Sequence, residues 1–338
     1  MTNSGSFGGS QRYYDGYPAP VLSANDAASE SISKLLNDYD PELKTRVSRS
    51  FRQWNNVLRD QLRNEMGFRL SIGDDTQAIP VRIADGLPLP FRQQIEMIPT
   101  DFWRFLLQLP ALEKAVDGLD SVIRLYASTE TASIPRPLPL LLNPAVQDAR
   151  MFCLYLLSVL QGIKIDQTLG SINQDILGAY FFRVPEVQLY WMVLGLFSGI
   201  LGISIESLTI VVAAHELAHA YSHMGRDIDG ERWETDAFAQ ADLDIVEGIA
   251  QFYTEIVCKK LEVRNPDVLL AFSKLTAIQQ GPYRVHEDWV KQKSGSRATP
   301  RAHAGEVVRA TMVQCRSRAV TEYAEMKQIM DRFTKGLS

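Results

Sequence analysis

Val211–Gly225 reads VVAAHELAHAYSHMG, and both the fold and the chemistry of the chain turn on this stretch. Residues four apart on a helix stand one above the other, so His215 and His219 can grip a single metal ion from one face. Glu216 lies about 100° further round that helix, beside such an ion rather than on it, where a carboxylate can hold and deprotonate a water. Ile210 to Ala214 are small or apolar and give the helix a buried, water-poor setting. Gly225 ends the apolar pattern, and Ser207 or Thr209 is the expected cap at its start. His223 stands eight residues from His215, about 12 Å along the axis, too far to share an ion held at about 2 Å. It reads as a solvated or supporting residue, and a third ligand has to come from elsewhere.

A second informative stretch, Ile245–Glu255 (IVEGIAQFYTE), lies about 28 residues beyond His219. An acidic residue early in a helix, such as Glu247, can be explained by the helix dipole alone. Gly248 is harder to explain that way, because glycine inside a helix costs about 1 kcal/mol and signals close packing against a neighbour. Asp236, Asp242 and Asp244 in the acidic loop before it compete as metal ligands. That loop has no spacing of a calcium loop.

HExxH followed at this separation by a glutamate in an EGxA context resembles the gluzincin metallopeptidases, the class that includes thermolysin-like enzymes. The resemblance runs from about Ile176 to the carboxyl end, and its specific part is the two short motifs. It implies a zinc ion held by His215, His219 and Glu247, with Glu216 as general base and a peptide or protein as substrate. It also implies that the strand before the metal helix, here Ala179 to Phe182, offers its edge to an extended substrate. The chain departs from the pattern at Gln251, where these enzymes carry an aspartate. The group that orients a zinc-bound histidine is therefore open, with Asp242, Asp244 and Glu255 as candidates.

A hydrolase of this kind needs a hydrogen-bond donor for the oxyanion, from outside the metal helix. Gly281–Trp289 (GPYRVHEDW) offers Tyr283, Arg284 and His286, of which Tyr283 and His286 are the leading catalytic candidates. The plain alternative is an ordinary aromatic turn. His303, in the basic stretch after it, reads as solvent-facing.

The remaining sequence bounds the answer. In 338 residues, 46% apolar, there is enough material for a real core. A formal charge of -5 leaves no basic footprint for nucleic acid. Three widely spaced cysteines, Cys153, Cys258 and Cys315, read as free thiols, and with no secretory pattern at the amino end the expected location is cytoplasmic. No stable membrane span is expected: Leu189–Ile203 is too short and is broken by Gly195, Gly199 and Gly202, so it reads as a buried strand followed by a glycine-rich turn.

In chain order, residues 1–24 read as a disordered arm and 25–128 as a helical region. Its clearest helix runs from Leu43 through Val47, Phe51, Trp54, Leu58 and Leu62 to a stop at Gly67, with a solvated basic face of Arg49, Arg52, Arg59 and Arg63, and Arg46 towards one edge. Ile79, Val81 and Ile83 alternate as in a short strand, which the surrounding prolines and glycines make an edge piece or a loop. Proline-rich 129–144 reads as a linker, and 145–338 as the zincin-like metallopeptidase domain. Ile176–Trp191 (ILGAYFFRVPEVQLYW) reads as two strands about a turn at Pro185. The expected fold is mainly α with a small β-sheet beside the metal helix, an α+β, zincin-like arrangement. The expected function is a zinc-dependent metallopeptidase; the competing reading is a non-catalytic, zinc-stabilised interaction or regulatory protein.

Overall fold

The structure, a computed structural model, describes residues 16, 26–70, 79–129, 144–162, 176–227, 230–279, 281–291 and 301–336. The arm expected over 1–24 therefore lies outside the described residues except at Gly16, and the linker expected over 129–144 lies outside them except at its two ends. First come α1 (Ala27–Tyr39), α2 (Leu43–Met66), β1 (Val81–Ala84), α3 (Leu89–Met97), α4 (Thr100–Leu106), α5 (Leu109–Thr129) and α6 (Pro144–Gly162). Next are β2 (Gly178–Phe181), β3 (Glu186–Tyr190), α7 (Trp191–Leu201), α8 (Ile205–Met224), α9 (Thr235–Gln240) and α10 (Leu243–Leu261). The chain closes with α11 (Asp267–Ile278), a 3-10 turn (Gly281–Arg284), α12 (His286–Lys291), α13 (Arg301–Ser317) and α14 (Tyr323–Gly336). The architecture is mainly helical, with one three-stranded mixed sheet in the order β1-β3-β2.

The motif helix α8 is the centre of the molecule. Every residue from Ile205 to Met224 except Glu206 is buried, as expected of a helix that is apolar or small on all sides. The helix begins earlier than its pattern suggests: Ser204, not Ser207 or Thr209, is the cap, and its side chain accepts from the Ser207 amide at 3.1 Å. The Thr209 hydroxyl instead donates to the Ile205 carbonyl at 2.7 Å. Gly225 does follow the last turn, but with extended backbone, and its lack of a side chain serves space: a Cβ there would stand 2.8 Å from Phe68 Cβ.

Helix α2 lies along α8. Leu43, Val47, Leu58, Leu62 and Met66 form its buried stripe, and it stops at left-handed Gly67 (φ 70°) as the sequence predicts. Its arginines are not all solvated. Arg46 forks onto Glu206 in the first turn of α8, at 2.7 and 2.8 Å, and also reaches Asp40. Arg59 donates to the Ile79 carbonyl at 2.6 Å, while the Tyr221 hydroxyl donates to the Arg59 carbonyl at 3.1 Å. The basic face thus includes two residues that tie α2 to its neighbours.

Leu189–Ile203 corrects the expectation of strand plus turn. Only Leu189 and Tyr190 belong to a strand; Trp191–Leu201 is the helix α7, buried over nearly its whole length. Gly195 and Gly199 sit inside this helix against close neighbours, tight at Gly195 and closer than a Cβ allows at Gly199. A Cβ would lie 3.3 Å from Leu36 Cδ1 at Gly195 and 2.3 Å from Leu107 Cδ2 at Gly199. Among the described residues no helix is long and apolar enough to cross a membrane.

The expected strand pair around Pro185 is present: β2 and β3 pair antiparallel, Gly178 opposite Leu189 and Phe181 opposite Glu186. Strand β1 adds to the far side of β3 in parallel as an edge, Val81 opposite Val187. The other edge, β2, packs beside α8 and is buried at all four positions. One continuous core holds residues from α1 to α14, such as Leu36, Leu62, Leu194, Leu217, Ile249 and Ile329. Cys258 and Cys315 are buried and Cys153 half-buried, all as free thiols.

Candidate metal centre

Two helices build the site. Buried α8 supplies His215, Glu216 and His219 from successive turns, and α10 returns across it to supply Glu247. The return is fixed by contacts at the start of α10. The Asp242 carboxylate accepts from the Tyr323 amide at 2.8 Å, and the Tyr323 hydroxyl accepts from Trp289 Nε1 at 3.0 Å. The Trp289 ring then closes on Gly248, where a Cβ would stand 2.7 Å from Cη2. The close packing that a glycine at 248 implies is thus packing against an indole, one residue from Glu247.

His215 Nε2 lies 3.1 Å from Glu247 Oε2, His219 Nε2 lies 3.3 Å from the same oxygen, and the two Nε2 atoms are 3.0 Å apart. Tetrahedral ligands at about 2.0–2.1 Å from one ion are separated by about 3.3–3.4 Å, so this triangle needs only small adjustment to hold a divalent metal. Among the described residues these three form the one group of histidine, cysteine or acidic side chains arranged to do so. The competing aspartates are engaged elsewhere or stand apart: Asp236 pairs with Arg183 at 3.1 Å, Asp242 caps Tyr323, and Asp244 is not in the cluster.

The four motif residues are between 2% and 8% exposed. Burial pushes the His215 imidazole below its usual range, which keeps it neutral, with a lone pair for a ligand bond. Burial opposes the charge on Glu247, but His219 and the contacts from both histidines outweigh it and hold this carboxyl well below the usual carboxylate range. A neutral imidazole beside an ionised carboxylate is the protonation state that a metal requires.

The Nδ1 atoms of His215 and His219 are buried with no hydrogen-bond partner among the described residues. None of the three acidic candidates for orienting them does so: Glu255 pairs with Lys259, and Asp242 is turned to Tyr323. Gln251, at the position where thermolysin-like enzymes carry an aspartate, donates instead to Gln279 Oε1 at 2.9 Å.

Glu216 faces the edge strand. A Cβ built on Gly178 would meet Glu216 Cγ at 2.9 Å and Oε1 at 3.1 Å, so the carboxylate rests against bare backbone of β2. From the 3-10 turn, the Tyr283 ring comes to 5.9 Å from the His215 ring, inclined by 34°. His286 is only 1% exposed; its ring packs against Phe272 of α11, and its Nε2 stands 3.7 Å from Glu255 Oε2. Arg284 is turned outward in a two-pronged pair with Glu287 at 2.8 and 3.2 Å. The side chain of His303 lies outside the described residues. Tyr283 is thus the member of its stretch brought to the motif histidines.

Two features were not settled by the sequence. His223, read as solvated or supporting, is fully buried, so the solvated reading falls. Gly178, a strand glycine whose only sequence signal is its place ahead of the motif helix, makes room for Glu216. Compared with family models, with curated proteins and with solved structures, the chain matches none.

Proposed function

We propose that this chain is a zinc-dependent metallopeptidase with a zincin-like domain around α8. One observation carries the reading: three buried ligand atoms converge within 3.0 to 3.3 Å, with a separate glutamate of the same helix set beside them. His215, His219 and Glu247 hold the ion. When bound, zinc supplies Lewis acidity, lowering the pKa of a water and polarising the scissile carbonyl. Glu216 takes the proton of the attacking water and passes it to the leaving amine, acting as base and then as acid. Tyr283 donates a hydrogen bond to the oxyanion, which exists only after attack. Strand β2 borders Glu216 but is buried at all four positions, so its edge does not stand open for an extended peptide to add to.

The test is incubation of zinc-loaded protein with a diverse peptide mixture, read by mass spectrometry. Glu216→Gln is expected to retain zinc and lose cleavage, since an amide can hydrogen-bond the water but cannot accept its proton. Tyr283→Phe is expected to lower turnover by about a hundredfold with little change in KM or zinc content. Equal cleavage by Glu216→Gln removes the general-base role.

A non-catalytic, zinc-stabilised role is the second reading, favoured by the low exposure of all four motif residues. It predicts no cleavage by the wild type and a fall in thermal stability when zinc is removed. An intact Glu216 weighs against it, because a structural ion needs no base.

A further inference from the structure

The face of α8 that carries Glu216 meets strand β2 at two points. Seven residues, two helical turns or about 10 Å, separate Glu216 from His223, which places both on the same side of the helix. Gly178 and Tyr180 are two apart in β2, so they also share a face. The elements meet pairwise: Gly178 lies against Glu216, and the Tyr180 hydroxyl lies 2.9 Å from His223 Nδ1. At the first point the strand rests on Glu216 and on Val212, whose Cγ1 a Cβ on Gly178 would meet at 2.9 Å, and these are contacts without a directional bond. A directional bond that can set the spacing is made at the second.

His223 is built to set it. Its ring is stacked on Phe238 at 4.6 Å and 21°, and Phe182 meets it edge-on at 6.2 Å. Its Nε2 faces Thr235 Oγ1 at 3.3 Å, and its carbonyl accepts from the Trp233 amide at 3.1 Å. Burial raises the Tyr180 phenol well above its usual range, so the hydroxyl keeps its proton and remains a neutral hydrogen-bond partner for Nδ1.

We propose that His223 is a positioning residue: through Tyr180 it clamps the edge strand to the metal helix and so fixes the distance between β2 and the Glu216 carboxylate. The effect on catalysis rests on the peptidase reading; the effect on the strand does not.

The test uses full-length, zinc-loaded Tyr180→Phe, which removes one hydroxyl, and Thr235→Val, which breaks only the contact on the other side of the ring. Amide hydrogen exchange along the β2–β3 ladder is expected to quicken about tenfold or more in Tyr180→Phe and to stay at the wild-type rate in Thr235→Val. Turnover is expected to fall about tenfold in Tyr180→Phe at unchanged zinc content, and to hold in Thr235→Val. Wild-type exchange in Tyr180→Phe overturns the clamp. Faster exchange with unaltered turnover overturns the positioning of Glu216. If the wild type cleaves no peptide, the peptidase reading fails on that result alone, while the exchange measurement still decides the clamp.

Discussion

Tyr283, in the 3-10 turn, and His286, at the start of α12, face different neighbours, and the difference sets what each can do. The Tyr283 ring turns to His215, while the His286 ring is enclosed between α10 and α11. Burial lowers the pKa of His286 to about 4, and Glu255 at 3.7 Å is too distant to bond it. The pH consequence has a definite sign. Above its unfolded pKa of about 6.5 the imidazole is neutral in both states and costs nothing. As pH falls from there through about 4, the unfolded chain takes up a proton that the folded chain refuses, removing up to about 3 kcal/mol of stability. Denaturation midpoints of metal-stripped protein at pH 7 and pH 4.5 should therefore fall further in the wild type than in His286→Leu. An equal fall in both would mean that the ring is protonated in the folded protein. A histidine in GPYRVHEDW reads from sequence as a donor because residue type is visible there and surroundings are not.

At the scale of elements, periodicity was informative where one face was buried and silent where all faces were. Leu43 to Leu62 announce α2 because water on the other side of that helix demands polar residues. Trp191 to Leu201 have no such side, so an apolar run with glycines reads equally as strand and turn; Leu36 and Leu107, which need those glycines, are distant in sequence. The contact of Gly248 with Trp289 is the same kind of fact, and it leads to a prediction. Gly248→Ala must displace the indole, since its Cβ would stand 2.7 Å from the ring, at a cost of about 1 to 3 kcal/mol for overpacking. Because Glu247 precedes it on α10, zinc affinity should fall along with the melting temperature. Trp289→Leu in the same chain should recover part of both, a coupling that a double-mutant cycle measures. Strict additivity would place the indole outside the support of Glu247.

For the whole molecule, the two histidines were legible because four residues apart define one helix face; Glu247 was singled out by the resemblance, with the helical glycine beside it as support against Asp236, Asp242 and Asp244. What sequence left open was the surroundings of the site. The motif announces a buried helix, but nothing in it reveals that β2 rests on Glu216, or that His223 is sealed among Phe182, Phe238 and Tyr180. Those facts arise from the packing of segments far apart in the chain. The metal centre is the claim on which the rest depends, and calorimetric titration of zinc into metal-stripped wild type, Glu247→Ala and Asp244→Ala addresses it most directly. The expected result is one equivalent bound by the wild type, the same affinity in Asp244→Ala, and in Glu247→Ala a loss exceeding the roughly 100-fold that removing an outer partner of a ligand costs. Wild-type affinity in Glu247→Ala, or no zinc taken up by the wild type, would contradict it.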